Sequence, residues 1–133
     1  MEKKTKMPVP PVLKALILDA DELQGKGASL ALKNYFSEIV FTRSPLEAIV
    51  LARKNRFTLI ISEINFAIMD GIEVIKNLKA LSPQSEIFIC SAHYNEAIKA
   101  ELKQIGIDHF LEKPINIKLF KEEIQNIIKN KGA

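Results

Sequence analysis

Asp19, Glu63 and Lys113 each close an apolar run: LKALILD ends on Asp19, FTLIISE on Glu63, and IDHFLEKP on Lys113 with Pro114. If those runs are neighbouring parallel strands, two carboxylates and one ammonium meet in the crevice at the carboxyl edge of the sheet, where open α/β sheets place their sites. Glutamate reaches far enough for Lys113 to pair with Glu63 directly. Other chemistries have little to work with. No GxGxxG or GxxxxGK loop occurs, no Cys/His or Ser/His constellation is available, and His93 and His109 have no partner at ligand spacing.

The elements that must position these charges follow from the pattern of the chain. Short apolar runs alternate with segments of helical periodicity, five times over, which is the signature of stacked βαβ units. The spacing predicts a first strand over Leu13 to Asp19 and a helix from Glu22 to Phe36, with Leu23, Leu30, Tyr35 and Phe36 inward. Gly25 and Gly27 weaken the start of that helix. EIVFT is short enough for an edge strand. Ser44-Pro45 with Glu47 three residues after the serine is a strong start for the second helix. FTLIISE reads as a central strand buried on both faces. GIEVIKNLKAL is a helix with Ile72, Ile75, Leu78 and Lys79 at helical spacing, ended by Ser82-Pro83 and begun by the turn and cap of Asp70-Gly71. EIFICSA and HFLEKP are the last two strands. NEAIKAELKQIG closes on Gly106, and NIKLFKEEIQNIIKN carries the stripe Leu119, Ile124, Ile127 and Ile128. Five βα units give an α/β, flavodoxin-like fold with a parallel sheet of order 2-1-3-4-5 and helices on both faces, its switch point between strands 1 and 3.

Composition agrees with one compact domain of this kind. The chain has 133 residues, 47% of them apolar, which is enough for a core without a metal or disulfide staple. Its single cysteine, Cys90, sits inside an apolar run and reads as a small core residue. No stretch reaches the roughly 18 apolar residues of a membrane span and no signal-peptide core is visible, so a cytoplasmic protein is expected, with no membrane partner. The net charge of +3 owes much to Lys3, Lys4, Lys6, Lys129 and Lys131 near the ends. The body is near neutral, and without a basic face no nucleic-acid partner is expected. Residues 1–11 are expected as a disordered or polyproline-like tail, 12–130 as the domain and 131–133 as a short tail.

From about Leu13 to Lys129 the sequence resembles the receiver domain of bacterial two-component response regulators. LILDADE resembles the acidic motif after strand 1, SEINFAIMDG the phosphoacceptor loop, CSA the Ser/Thr-Ala motif of strand 4, and FLEKP the Lys-Pro motif of strand 5. The resemblance implies phosphoryl transfer from a histidine kinase to a residue at the Glu63 position, with Mg²⁺ in the acidic pocket. It assigns the switch hydroxyl to Ser91, the phosphate-pairing lysine to Lys113 and the rotating aromatic to Phe110. The metal set it implies is Asp19, Glu63 and the backbone carbonyl of Asn65, with Asp21 as a doubtful substitute. Plainer roles stand beside these: Glu63 as a solvated loop-edge acid, Ser91 as a turn hydroxyl, Phe110 as core.

Three departures change the expected function. Glutamate stands where the family has aspartate, and one extra methylene moves the carboxylate about 1 to 1.5 Å toward the place of the phosphoryl group. Phosphoryl transfer depends on positioning, so that displacement is severe. Ala20 stands where a second acid is usual, and Ala67 where proline is usual, which predicts a looser loop. The expectation is therefore a pseudo-receiver, not an enzyme and with no cofactor: a phosphorylation-independent interaction module acting through a protein partner, a histidine kinase or an effector. Receivers commonly meet such partners on the face made by the fourth helix, fifth strand and fifth helix. A homodimer through the last helices would be typical of the family, but EEIQNIIKN is too short a stripe to establish it. Glu63 as a weak mimic of the phosphorylated state is a subsidiary expectation. The alternative is a functional receiver that phosphorylates itself from a histidine kinase or small phosphodonor using Mg²⁺. No output domain is seen in these residues.

Overall fold

A computed structural model describes residues 13–93 and 95–132; the expected N-terminal tail lies outside them. The elements run β1 (Lys14–Leu18), α1 (Glu22–Leu32), β2 (Glu38–Thr42), α2 (Pro45–Lys54), β3 (Leu59–Ser62), α3 (Gly71–Leu81), β4 (Glu86–Ser91), α4 (Glu96–Ile105), β5 (His109–Glu112) and α5 (Ile117–Gly132). The strands pair in parallel in the order β2-β1-β3-β4-β5, as the alternating pattern predicts.

Because successive strand residues point to opposite faces, the apolar strands divide the core in two. Ala15, Ile17, Leu59, Ile61, Phe88 and Cys90 pack toward α1 and α5. Leu16, Leu18, Ile60, Ile87 and Ile89 pack toward α2, α3 and α4. Among the described residues, no helix is long and apolar enough to cross a membrane.

The helix starts behave as their capping residues dictate. Ser44 Oγ accepts from the Glu47 N–H at 3.1 Å with Pro45 in the first turn. The Glu47 carboxylate does not return to Ser44. It accepts from the Thr42 hydroxyl, whose oxygen accepts from the Ser44 N–H. Asn95 Oδ1 caps α4 through the Ile98 N–H, and Gly106 ends that helix in the left-handed region at φ 101°, where a side chain would be strained.

Two inner faces differ from the spacing-based expectation. Helix α1 stops at Leu32 and buries Gly25, Ala28 and Leu32, while Leu23 and Leu30 are 82% and 70% exposed. Phe36 and half-buried Tyr35 still join the core just beyond the helix. The reason is close approach: a Cβ on Gly25 would lie 2.0 Å from the Phe41 ring, so α1 docks through its small residues. Despite Gly25 and Gly27 the helix begins at Glu22, where Asp21 caps it. In α5, Phe120 replaces Leu119 on the inner face because its ring meets Phe88 edge-on, centroids 6.1 Å apart. Ile124, Ile127 and Ile128 pack as expected.

Candidate functional site

Register brings the three charges together. Leu18 pairs with Ser62, so the residues after them, Asp19 and Glu63, leave β1 and β3 at the same level. Backbone bonds extend the ladder one residue further: Glu63 N–H to Leu18 O at 3.0 Å, Asp19 N–H to Thr42 O at 3.2 Å, and Lys113 N–H to Ser91 O at 2.9 Å. The backbone ladder thus continues into the site residues.

Lys113 Nζ donates to Asp19 Oδ2 at 2.7 Å and to Glu63 Oε1 at 2.9 Å. The second oxygens are also occupied. Asp19 Oδ1 accepts from the Asp21 N–H at 2.9 Å, and Glu63 Oε2 accepts from the N–H groups of Ile64 and Asn65 at 2.7 and 3.1 Å. Burial alone would push the Glu63 carboxyl up, but hydrogen bonds from Lys113, Ser91 and those two backbone groups outweigh it and hold it below the ordinary glutamate value. For Lys113, burial favours the neutral amine, yet bonds to Asp19 and Glu63 raise it above the ordinary lysine value. The Lys113 ammonium thus joins Asp19 and Glu63 in a closed triad.

Ser91, fully buried at the end of β4, accepts from the Asn65 side-chain amide at 2.8 Å and from the His93 N–H at 3.2 Å. Asn65 thus enters the site through its side chain, which also reaches Glu63 Oε2 at 3.4 Å. The resemblance assigns only its backbone carbonyl, and no local signal distinguishes this asparagine from a turn residue. Asp21 lines the crevice, but its Oδ1 accepts from the Leu23 and Gln24 N–H groups as the cap of α1. Phe110 lies apart on β5, opposite Ile89, half-buried against the core beneath α3 and α4. The loop carrying Ala67 is closed at its base by a bridge between Asn65 and Asp70.

Above the triad opens a crevice of about 480 Å³, bordered by Ala20, Gln24 and His93 as well as the charged residues. A small divalent cation such as Mg²⁺ requires near-octahedral oxygen ligands. The residues present fit it poorly. An ammonium already sits between the two carboxylates, Asp21 is turned to its cap and Ala20 has no side-chain oxygen. Among the described residues no three acidic, histidine or cysteine side chains cluster as metal ligands.

Cys90, one residue before Ser91, faces the core of α1 and α5, and burial pushes its thiol up to about 12. Native protein should resist a disulfide reagent such as dithionitrobenzoate and react stoichiometrically once unfolded. Rapid reaction of the native thiol would contradict that burial.

Comparison with known proteins agrees with the geometry. The model of the response regulator receiver domain matches residues 15–125. A cyclic di-GMP phosphodiesterase of Thermotoga maritima is 24% identical over 116 residues, 87% of this chain and 31% of its own. The transcriptional regulatory protein ZraR of Salmonella typhimurium is 25% identical over 85% of this chain and 26% of its own. The chain therefore spans less than a third of either relative. A solved structure of the Vibrio cholerae chemotaxis protein CheY4 superposes with a TM-score of 0.79 at 25% identity, covering 88% of this chain and 99% of that one. Five parallel strands in this order, the matched span and the acid–lysine crevice at their carboxyl ends lead to one conclusion: the chain belongs to the response regulator receiver domain family of two-component signalling.

Proposed function

We propose that this receiver is a pseudo-receiver, a protein-interaction module whose binding does not depend on phosphorylation. The observation that carries this is the Lys113 ammonium shared between Asp19 and Glu63, at 2.7 and 2.9 Å. A phosphoryl group would have to displace the Glu63 carboxylate from the lysine that the resemblance assigns to the phosphate. Ala20 supplies no carboxylate to neutralise charge in the transition state, and the longer Glu63 side chain misplaces the nucleophile. The partner is a histidine kinase or effector protein, engaged through α4, β5 and α5. A second reading, self-phosphorylation with Mg²⁺, is favoured by Ser91, Asn65 and Lys113 all standing around Glu63.

Incubation with acetyl phosphate and Mg²⁺ followed by intact-mass spectrometry separates the two. The unaltered chain and Glu63→Asp alone should remain unmodified, whereas Ala20→Asp/Glu63→Asp should carry a phosphoryl adduct. An adduct on the unaltered chain would refute the pseudo-receiver.

A further inference from the structure

Beside the acid–lysine crevice lies a second cavity of about 260 Å³, between the start of α2 and the loop from β3 to α3. Leu46, Phe66, Ala67, Ile68 and Met69 line it, and Ala20 lines both this cavity and the crevice, so the two adjoin there. Ile68 is 94% exposed and Leu46 65%. Single exposed apolar side chains are ordinary on a folded surface. Here two of them flank one apolar cavity, and Val50, a turn from Leu46 along α2, is exposed as well. The concavity gives an apolar side chain of a partner a place to be buried. Its volume falls below the roughly 300–1,000 Å³ of small-molecule pockets, and suits a side chain of a protein partner.

Charge selects the kind of partner. Three carboxylates, Asp19, Asp21 and Glu63, line the adjoining crevice against one ammonium, Lys113. The cation lining the apolar cavity, Arg43, is already engaged: its Nε donates to Ala20 O at 2.9 Å and its guanidinium lies 3.6 Å from Glu22. We propose that the two cavities form one docking site for a protein segment carrying an apolar side chain beside a lysine or arginine. The apolar side chain enters between Leu46 and Ile68, and the cation lies over the acidic crevice. This rests on the pseudo-receiver reading, which leaves the crevice free of a metal and a phosphoryl group.

The test is titration of the ¹⁵N-labelled chain with three blocked peptides centred on Arg-Leu-Phe, Glu-Leu-Phe and Arg-Ser-Ser. The first should shift the amides of Ala20 and of Phe66 to Met69 and bind at least about tenfold more tightly than the others. Leu46→Ser and Ile68→Ser, at exposed positions with little to lose in folding, should each weaken it by about tenfold. No shift at those amides with millimolar Arg-Leu-Phe peptide, equal binding of the Glu-Leu-Phe peptide, or unaltered binding by both serine variants would overturn the proposal. Intact mass after acetyl phosphate and Mg²⁺ is measured in parallel. An adduct on the unaltered chain overturns the pseudo-receiver reading itself, whereas a missing peptide response without an adduct overturns the docking site alone.

Discussion

Replacing Lys113 with methionine lowers the stability of the domain by about 3 kcal/mol at neutral pH, the scale for breaking a buried ion pair by removing one partner. For a chain of this size that is a fall of roughly 10 °C in the thermal midpoint. Methionine keeps the length of the apolar stem, so the loss reports the missing charge. With the ammonium gone, Asp19 and Glu63, both more than nine-tenths buried, are left as neighbouring carboxylates with only uncharged backbone, amide and hydroxyl donors. A midpoint within about 2 °C of the unaltered protein would show that the triad contributes little.

Acid should reveal the same charges from the other side. Glu63 is held below its ordinary value, so its contribution is present above that value and is lost as pH falls through the lowered one. Lys113 is raised, so its contribution is present below the ordinary lysine value and disappears as pH rises through the raised one. The triad therefore stabilises the protein from about pH 5 to about pH 10. In Lys113→Met, burial of Glu63 loses its main counterweight and the carboxyl rises. Protonation then relieves the variant, and later weakens the parent, so the difference between them should narrow as pH falls below the ordinary glutamate value. Chemical denaturation of both proteins across this range measures the convergence.

Gly71→Ala should be nearly as damaging, by about 3 kcal/mol, although glycine to alanine inside a helix is ordinarily favourable. A Cβ at Gly71 would lie 1.7 Å from the carbonyl oxygen of Ile64 and 2.6 Å from its carbonyl carbon. These are backbone atoms, unable to swing aside as a side-chain tip would. Relief requires moving the segment whose N–H groups bind Glu63 Oε2, so the variant should also loosen the triad. A thermal midpoint unchanged within about 2 °C would contradict this close approach.

The strand ends were legible because a buried parallel strand is a continuous apolar run, and a charge that closes it stands out. Asp19, Glu63 and Lys113 could be placed at one sheet edge for that reason. Ser44-Pro45, Asp70-Gly71 and Gly106 were legible too, since capping depends on local backbone chemistry. The inner face of α1 was not. Hydrophobicity points to Leu23 and Leu30, whereas contact with Phe41 selects Gly25, and only the three-dimensional approach decides between them. The parts of Asn65 and Asp21 were hidden too: the Asn65 amide is set by a bond to Ser91, 26 residues on at the end of β4, and Asp21 is taken up as the cap of α1. The cavity beside Ala20 joins α2 to a loop that the sequence leaves open, and no periodicity announces it.

Most direct for the closed triad is ¹³C detection of the Glu63 side-chain carboxyl through a pH titration, repeated with millimolar Mg²⁺. Glu63 should titrate below the ordinary glutamate value, with its signal and pH response unchanged by the metal. A midpoint at or above the ordinary value, or a Mg²⁺-dependent shift showing that the carboxylate leaves Lys113 for the cation, would contradict it.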